Sequence, residues 1–227
     1  TRFMSAIEGE RKLHGEPGSS VTLSLIRGST QEPFDIDLVY ARAPPVAVTG
    51  RILSDPGDSS IGYLRIPGFD EDVVAQISNN VASLSDRGVS HLIIDIRNAA
   101  SGTYRAAVDA ARLFVAGGTL VIREEHGGGQ TPLEASVGKD AISTPVTILI
   151  NFGSSGPAEL FAAALTERDR ATTVGQRTAG RTSLQKLIRL PDGTGLWLSY
   201  ARYLKASGDP IHLYGVEPVV PVEVKVP

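Results

Sequence analysis

The first part of the chain alternates between apolar and polar side chains over two short segments. Residues 21–25 and residues 34–38 both show this period of two, which predicts half-buried β-strands. Residues 28–33 form the turn between them, and apolar positions at helical spacing before Gly15 predict a short preceding helix. Two strands and one helix bury too little surface to fold alone. We therefore expect residues 1–42 to be a fragment of a domain or an appendage to the next one.

Consecutive prolines, Pro44 and Pro45, mark the boundary to a longer region, residues 46–227. Apolar runs and amphipathic stripes there predict strands at 61–66, 91–96, 120–122 and 146–150, and helices at 73–84, 106–114 and 158–165. Because strands and helices alternate, the predicted fold class is α/β with a mainly parallel sheet. Residues 187–190 and 196–200 flank a Gly-rich turn, so we expect the fold to end in a β-hairpin.

Composition and charge narrow the classes of function. The chain has 227 residues, 41% of them apolar, and a net charge of -3, which gives no electrostatic reason to expect nucleic-acid binding. No apolar run approaches the ~20 residues that span a bilayer. There is no cysteine, and no pair of histidines has metal-ligand spacing. The glycines of residues 127–132 do not open a helix, so they indicate a flexible loop and not a phosphate site. We expect no metal and no cofactor.

The most informative stretch is residues 150–160, where a buried strand ends in a Gly/Ser turn and a helix begins. Such a turn presents backbone N–H groups at a helix N-terminus, where a developing oxyanion would be stabilised. The simpler interpretation is that Ser154 or Ser155 caps the helix. The local residues alone favour the simpler interpretation.

At this turn the chain resembles the carboxy-terminal-processing (tail-specific) serine peptidases, which use a Ser-Lys dyad. That family carries Asn-x-Gly-Ser-Ala-Ser-Ala-Ser-Glu, and Asn151, Gly153, Ser154 and Glu159 are in register with it. The resemblance continues almost end to end, through residues 95–102, 107–109, 113–114, 170–181, 185 and 215–218, and residues 13–23 are similar to the back half of the family's PDZ domain. It implies a crotonase-like, ClpP-like core over residues 46–227, preceded by a partial PDZ-like module over residues 1–42.

The resemblance also assigns the catalytic positions, and this chain departs from the family at several. The nucleophilic serine falls on Gly156 and the lysine base on Arg181, with the family's interval of 25 residues kept between them. Glycine has no nucleophile, and arginine, with a pKa above ~12, stays charged near pH 7. The residue after the nucleophile, which should donate an N–H to the oxyanion, is Pro157. The family's glycine at the position of the other oxyanion donor is retained as Gly102, and its glutamine that orients the base is retained as Gln185.

These substitutions predict a pseudoenzyme that binds polypeptide C-termini or unstructured protein segments without cleaving them. The alternative is an active serine endopeptidase with Ser154 or Ser155 as a relocated nucleophile, although neither has a visible base. A third reading, a crotonase-fold enzyme acting on acyl-CoA, has no supporting feature. The resemblance implies an extracytoplasmic location, in the periplasm or cell envelope, while the oligomeric state stays open. We expect Gly156, Arg181 and Gln185 to meet at the mouth of a cleft.

Overall fold

The chain divides into two compact units, Thr1–Pro45 and Val46–Pro227. The structure, a computed structural model, describes residues 13–26, 32–41, 47–53, 61–135, 141–191 and 194–223. The second unit begins directly after the Pro44-Pro45 pair.

A two-stranded antiparallel sheet forms the described part of the first unit. β1 (Ser20–Leu25) pairs with β2 (Phe34–Val39), and half-buried side chains alternate with exposed ones along β1. Both strands lie where the period of two predicts them. The predicted helix before Gly15 falls largely on residues 1–12, which are outside the described residues, as are residues 27–31 of the predicted turn.

A six-stranded sheet forms the centre of the second unit. In spatial order its strands are β14 (Val220–Pro221), β11 (Ala171–Gly175), β10 (Val146–Ile150), β6 (His91–Asp95), β4 (Ile61–Arg65) and β3 (Thr49–Ile52). Neighbouring strands are parallel except β3, which runs antiparallel to β4. The central strands are nearly continuous apolar runs, as expected for strands covered on both faces. Because the carboxyl ends of parallel strands share one edge, the loops after β6 and β10 lie side by side.

Three helices lie in the described part of this unit: α1 (Val73–Asp86), α2 (Tyr104–Ala111) and α3 (Pro157–Thr166). α2 begins earlier than the predicted 106–114, because the Thr103 side chain caps it by accepting a hydrogen bond from the Ala106 N–H at 3.1 Å. It ends at Ala111, three residues before the predicted end. None of the helices in the described ranges is both long and apolar enough to cross a membrane.

A second, four-stranded antiparallel sheet corrects the prediction of one mainly parallel sheet. Its order is β12 (Ser183–Arg189), β13 (Gly195–Lys205), β8 (Thr119–Glu125) and β9 (Gln130–Glu134). The strand predicted at 120–122 is longer and forms a hairpin with β9, so the loop prediction is wrong for residues 130–132. β9 is almost entirely exposed, and a strand without an apolar face gives no periodic signal. The fold is therefore mixed α/β.

The chain does not end at the predicted hairpin. β12 and β13 do pair antiparallel, but β14 then returns to the parallel sheet beside β11. Two further short strands, β5 (Gly68–Phe69) and β7 (Ser101–Gly102), pair in parallel and were not predicted. Residues 157–165 of α3 are buried on all sides, because this helix contacts β11 of one sheet and β8 of the other.

Candidate active site

Two asparagines tie together the loops at the carboxyl edge of the parallel sheet. Asn151 follows β10, and its Oδ1 accepts hydrogen bonds from the backbone N–H groups of Asn98 at 2.9 Å and Gly153 at 3.0 Å. Its Nδ2 donates to Asn98 Oδ1 at 3.0 Å. A Cβ on Gly153 would lie 2.2 Å from that oxygen, so only glycine permits this approach. The contact fixes the turn that leads into α3.

A buried carboxylate anchors the end of β6. Asp95 is 3% exposed and accepts hydrogen bonds from Arg97 Nη2 at 2.7 Å, Arg97 Nε at 3.0 Å and the Tyr63 hydroxyl at 2.6 Å. Burial raises the pKa of Asp95, but these hydrogen bonds outweigh it, so the pKa lies below its usual value. An ionised Asp95 therefore fixes the start of the loop that carries Gly102.

Ser154, one of the two alternative nucleophiles, has its hydroxyl engaged in the fold. It is 0% exposed, its Oγ donates to the Ile96 carbonyl at 2.9 Å, and it accepts from the Asn151 N–H at 3.1 Å. Ser155 differs, because it is half-buried and its hydroxyl bonds to no other residue in the described ranges. Only its backbone is tied, through an N–H donated to the Ala99 carbonyl at 2.9 Å. Ser154 is thus unsuited to attack a substrate, whereas Ser155 has a free hydroxyl.

Gly156, which the family resemblance predicts at the nucleophile position, has a backbone conformation that a side chain would strain. Its φ is 59° and its ψ is -113°, between β10 and the first residue of α3. Gly156 is buried, and an added Cβ would lie 3.6 Å from both the Arg181 carbonyl oxygen and the Tyr104 hydroxyl, which is ordinary van der Waals contact without a clash. A sharp, strained strand-to-helix turn is one way in which enzymes present a nucleophile. This turn has that shape but carries no side chain at its apex.

The buried carboxylate of Glu159 collects the hydrogen-bond donors around the turn. It accepts from the N–H groups of Gly156 (2.9 Å), Gly180 (2.6 Å) and Arg181 (2.7 Å), and from the Thr178 hydroxyl (2.5 Å). The Gly156 N–H is therefore directed at Glu159, and Pro157 has no N–H to offer. Across the described ranges, no group of three or more His, Asp or Glu side chains could hold a metal ion.

The structure brings Arg181 beside Gly156 and leaves Gln185 bonded elsewhere. The backbone of Arg181 borders Gly156, as the 3.6 Å approach of its carbonyl oxygen shows. Its guanidinium is exposed and has no ion pair or hydrogen bond to any residue that the structure describes. Gln185 lies on β12 after an irregularity in strand pairing, and its amide donates to Ser199 Oγ at 3.3 Å. Its amide is thus held by the second sheet.

Gly102 lies at the other side of the same sheet edge. It is exposed, has a φ of 102° and pairs with Phe69. A Cβ at this position would lie 2.0 Å from the Phe69 carbonyl oxygen, so both the conformation and the space require glycine.

Tyr104 is a member of the site that the sequence did not reveal. Its hydroxyl donates to the Arg181 carbonyl at 3.1 Å, and its ring lies 4.8 Å from that of Tyr203. Burial, followed by the nearby charge of Glu159, raises the pKa of Tyr104 to about 12, so the phenol stays protonated as a donor near neutral pH. The sequence carries one indication of this role, because Tyr104 directly follows Gly102 and the helix cap Thr103. That position indicates that the residue lies near the site, but it does not indicate which atoms the residue contacts.

The sequence profile of Peptidase family S41 matches residues 60–222. A carboxyl-terminal-processing protease of Synechocystis sp. is 28% identical over 223 residues, which are 98% of this chain and 52% of the relative. The chloroplastic carboxyl-terminal-processing peptidase 3 of Arabidopsis thaliana is 30% identical over 92% of this chain and 42% of its own length.

Among solved structures, a photosystem II D1 C-terminal processing protease is similar, with a TM-score of 0.73 and 29% identity. The match covers 92% of this chain and 57% of that chain. The present chain thus spans about half the length of the relatives that it matches.

Proposed function

Because this chain belongs to Peptidase family S41, we propose that it binds polypeptides as a pseudoenzyme and does not cleave them. The observation that carries this proposal is the turn at Gly156, which has the strained conformation of a nucleophile turn and no hydroxyl. The catalytic positions are those that the family resemblance assigns.

Three chemical requirements of a serine peptidase are unmet at these positions. Gly156 supplies no nucleophile. Arg181 cannot become neutral near pH 7, so it cannot accept a proton from a serine. Pro157 has no N–H, and the Gly156 N–H is engaged by Glu159. Loss of one oxyanion donor alone lowers the rate by about 10²–10³, so residual peptidase activity is not expected.

The alternative, an endopeptidase with a relocated nucleophile, rests on Ser155. Ser154 is excluded by its buried hydrogen bonds, whereas the Ser155 hydroxyl is free. A nucleophilic serine also needs a base within hydrogen-bond reach. The lysines in the described ranges are engaged elsewhere, since the Lys186 ammonium lies 5.5 Å from the Tyr200 ring centre and Lys205 pairs with Glu167 at 3.6 Å. Ser155 is therefore an unactivated hydroxyl.

A polypeptide ligand is supported by a cleft that borders the site. It has a volume of about 390 Å³ and is lined by residues that include Ser183, Ser199 and Tyr200. Ser183 lies both in the lining of this cleft and at the candidate active site, because its carbonyl oxygen lies 3.5 Å from the Tyr104 hydroxyl. The ligands we propose are polypeptide C-termini or unstructured segments, in keeping with the processing of C-termini named for the relatives.

Two parts of the proposal concern the context of the site. We assign residues 1–42 to a partial PDZ-like module preceding a crotonase-like core, in keeping with the antiparallel pair β1–β2. We also place the protein outside the cytoplasm, in the periplasm or cell envelope.

Labelling with a serine-directed fluorophosphonate tests the proposal. The unmodified chain should remain unlabelled, while a labelled tail peptide should bind it and be recovered intact. A matched pair of variants, Ser154→Ala and Ser155→Ala, serves as the control. Labelling of the unmodified chain that disappears in Ser155→Ala would establish the relocated nucleophile and overturn the proposal.

A further inference from the structure

A two-stranded ribbon extends from the second sheet, where β12 pairs with β13 alone. β13 pairs with β8 only over Ala201–Lys205, whereas its pairing with β12 continues out to Gly195. Residues 185–190 and 195–199 therefore have no third strand beside them within the described part of the chain, and we call these residues the ribbon. An isolated two-stranded hairpin is marginally stable in water. The ribbon would therefore be stabilised by any partner that covers its side chains.

Apolar side chains are exposed on both faces of the ribbon. Leu196 and Leu198 lie on one face and Trp197 on the other, because successive residues of a strand alternate. These side chains are 47%, 43% and 52% exposed, and Leu190, next to the turn, is 40% exposed. A groove on a folded protein would cover one face of such a ribbon and leave the other face in water. A lipid bilayer surrounds an inserted ribbon and covers both faces.

Trp197 has the chemistry of a residue at the boundary between lipid and water. Its side chain is half exposed, and its indole N–H has no hydrogen-bond partner among the described residues. Tryptophan is enriched at membrane interfaces because its ring enters the apolar layer while its N–H stays hydrated. The exposed ring and the free N–H of Trp197 therefore both suit that boundary.

The charged side chains of the ribbon favour an anionic surface. Lys186 and Arg189 form no ion pair with any described residue, and the Lys186 ammonium lies 5.5 Å from the centre of the Tyr200 ring. With one carboxylate in the turn, Asp192, residues 185–199 carry two positive charges and one negative charge, a net charge of +1, whereas the whole chain carries -3. Long basic side chains place their methylene groups in the apolar layer and their charges at the headgroups.

We propose that the ribbon inserts into a lipid bilayer with anionic headgroups and holds the protein at the membrane surface. Six residues of a strand are about 20 Å long at ~3.3 Å per residue. Insertion to the usual interfacial depth of about 5–10 Å therefore immerses the outer part of the ribbon only. The apolar side chains supply the attraction to the lipid, and the two cations select anionic headgroups. This inference goes beyond the proposed function and does not depend on whether the protein cleaves polypeptides.

Trp197 is the only tryptophan in the sequence, so its fluorescence reports on the ribbon without a label. The unmodified protein is mixed with vesicles of equal parts phosphatidylcholine and phosphatidylglycerol. The emission should shift to shorter wavelength and be quenched by lipids brominated near the headgroup. Vesicles of phosphatidylcholine alone should bind at least about fivefold more weakly, and added salt should weaken binding to the anionic vesicles. An unchanged emission spectrum, with or without sedimentation of the protein with the vesicles, would overturn the proposal.

Matched variants separate the ribbon from the rest of the surface. The double variant Lys186→Gln, Arg189→Gln should weaken binding to the anionic vesicles by roughly 25-fold, since each basic residue near the surface contributes about fivefold. Arg87→Gln, at the end of α1, removes an exposed cation outside the ribbon and should leave binding unchanged. Leu196→Asn should weaken binding several-fold, whereas Leu213→Asn, at an exposed leucine outside the ribbon, should not. Equal losses in the ribbon variants and their controls would contradict the assignment.

A second copy of this chain is the competing occupant of the ribbon. Two ribbons of the same net charge repel each other, so we expect a monomer with constant emission when no vesicles are present. An emission shift that grows with protein concentration in the absence of vesicles, together with a dimer in sedimentation, would assign the ribbon to self-association and overturn the proposal. The tests of peptide binding and cleavage use no vesicles, so failure of the proposed function and failure of this inference are distinguishable.

Discussion

Replacing Ser154 with alanine tests whether this hydroxyl belongs to the fold or to the chemistry. The side chain links three segments, because it donates to the Ile96 carbonyl after β6 and accepts the Asn151 N–H after β10, and its own turn leads into α3. It is completely buried. If the role of this hydroxyl is structural, Ser154→Ala should lower the free energy of unfolding by an amount set by the two backbone groups that lose it as a hydrogen-bond partner.

The size of the effect follows from those groups. The Ile96 carbonyl keeps the Ala99 N–H at 3.1 Å, so the loss on that side is one hydrogen bond, about 1 kcal/mol. The Asn151 N–H keeps no other hydrogen bond within the described residues, and an unsatisfied donor costs about 1–3 kcal/mol. Asn151 is half-buried, which favours the lower end. The free energy of unfolding should therefore fall by about 2 kcal/mol, and the melting temperature by roughly 4–8 °C for a domain of this size.

Urea denaturation and thermal melting of Ser154→Ala and Ser155→Ala measure this directly. The Ser155 hydroxyl has no partner to lose, so its variant should stay within about 0.5 kcal/mol of the unmodified chain. Equal stability of Ser154→Ala and the unmodified chain would refute the structural role. So would a comparable loss in Ser155→Ala.

Three further predictions concern the same edge of the sheet. Gly156→Ser should lower the free energy of unfolding by about 1–3 kcal/mol, mainly through backbone strain, since an added Cβ would lie at an ordinary van der Waals distance of 3.6 Å from its nearest neighbours, and a loss well above about 3 kcal/mol in urea denaturation would contradict this reasoning. The pKa of Asp95 is depressed, so its stabilisation is present above the unfolded value of about 3.9 and is lost as pH falls through the lower folded value. Denaturation of Asp95→Asn should accordingly show a lower stability at pH 7, by about 2 kcal/mol, and a smaller further loss below pH ~4 than the unmodified chain; parallel pH profiles would refute this. Tyr104→Phe should cost about 1 kcal/mol in thermal melting, from the hydrogen bond to Arg181, and no change would indicate that the bond contributes nothing.

The sequence predicted the parts of the fold that bury an apolar pattern. The strands predicted at 91–96 and 146–150 appear in the structure, because the apolar side chains on both of their faces must be covered. The helix α1 also appears as predicted, because its apolar stripe must be buried. β9 was missed because it is exposed and has no apolar face. β7 was missed because a two-residue strand is defined by its partner, β5, and not by its own residues.

The site could be located from its motif, but its chemistry depends on tertiary contacts. The register of the motif predicts Gly156 and Arg181 in one site, and a Cβ on Gly156 would lie 3.6 Å from the Arg181 carbonyl oxygen. No local pattern shows that Ser154 is enclosed by the loop after β6, or that Tyr104 reaches the Arg181 carbonyl. No local pattern shows either that the Leu213 N–H donates to the Gly180 carbonyl, which is far away in sequence.

Hydrolysis of an unstructured peptide with an apolar tail tests the central claim most directly. The unmodified chain should leave the peptide intact in mass spectrometry, and Gly156→Ser alone should do the same, because an unactivated serine is a weak nucleophile. The triple variant Gly156→Ser, Pro157→Ala, Arg181→Lys regains a nucleophile, an N–H donor and an amine that can lose its proton where the guanidinium cannot, so it should be the first form to cleave. Cleavage by the unmodified chain that Ser155→Ala abolishes would contradict the account and establish an active peptidase.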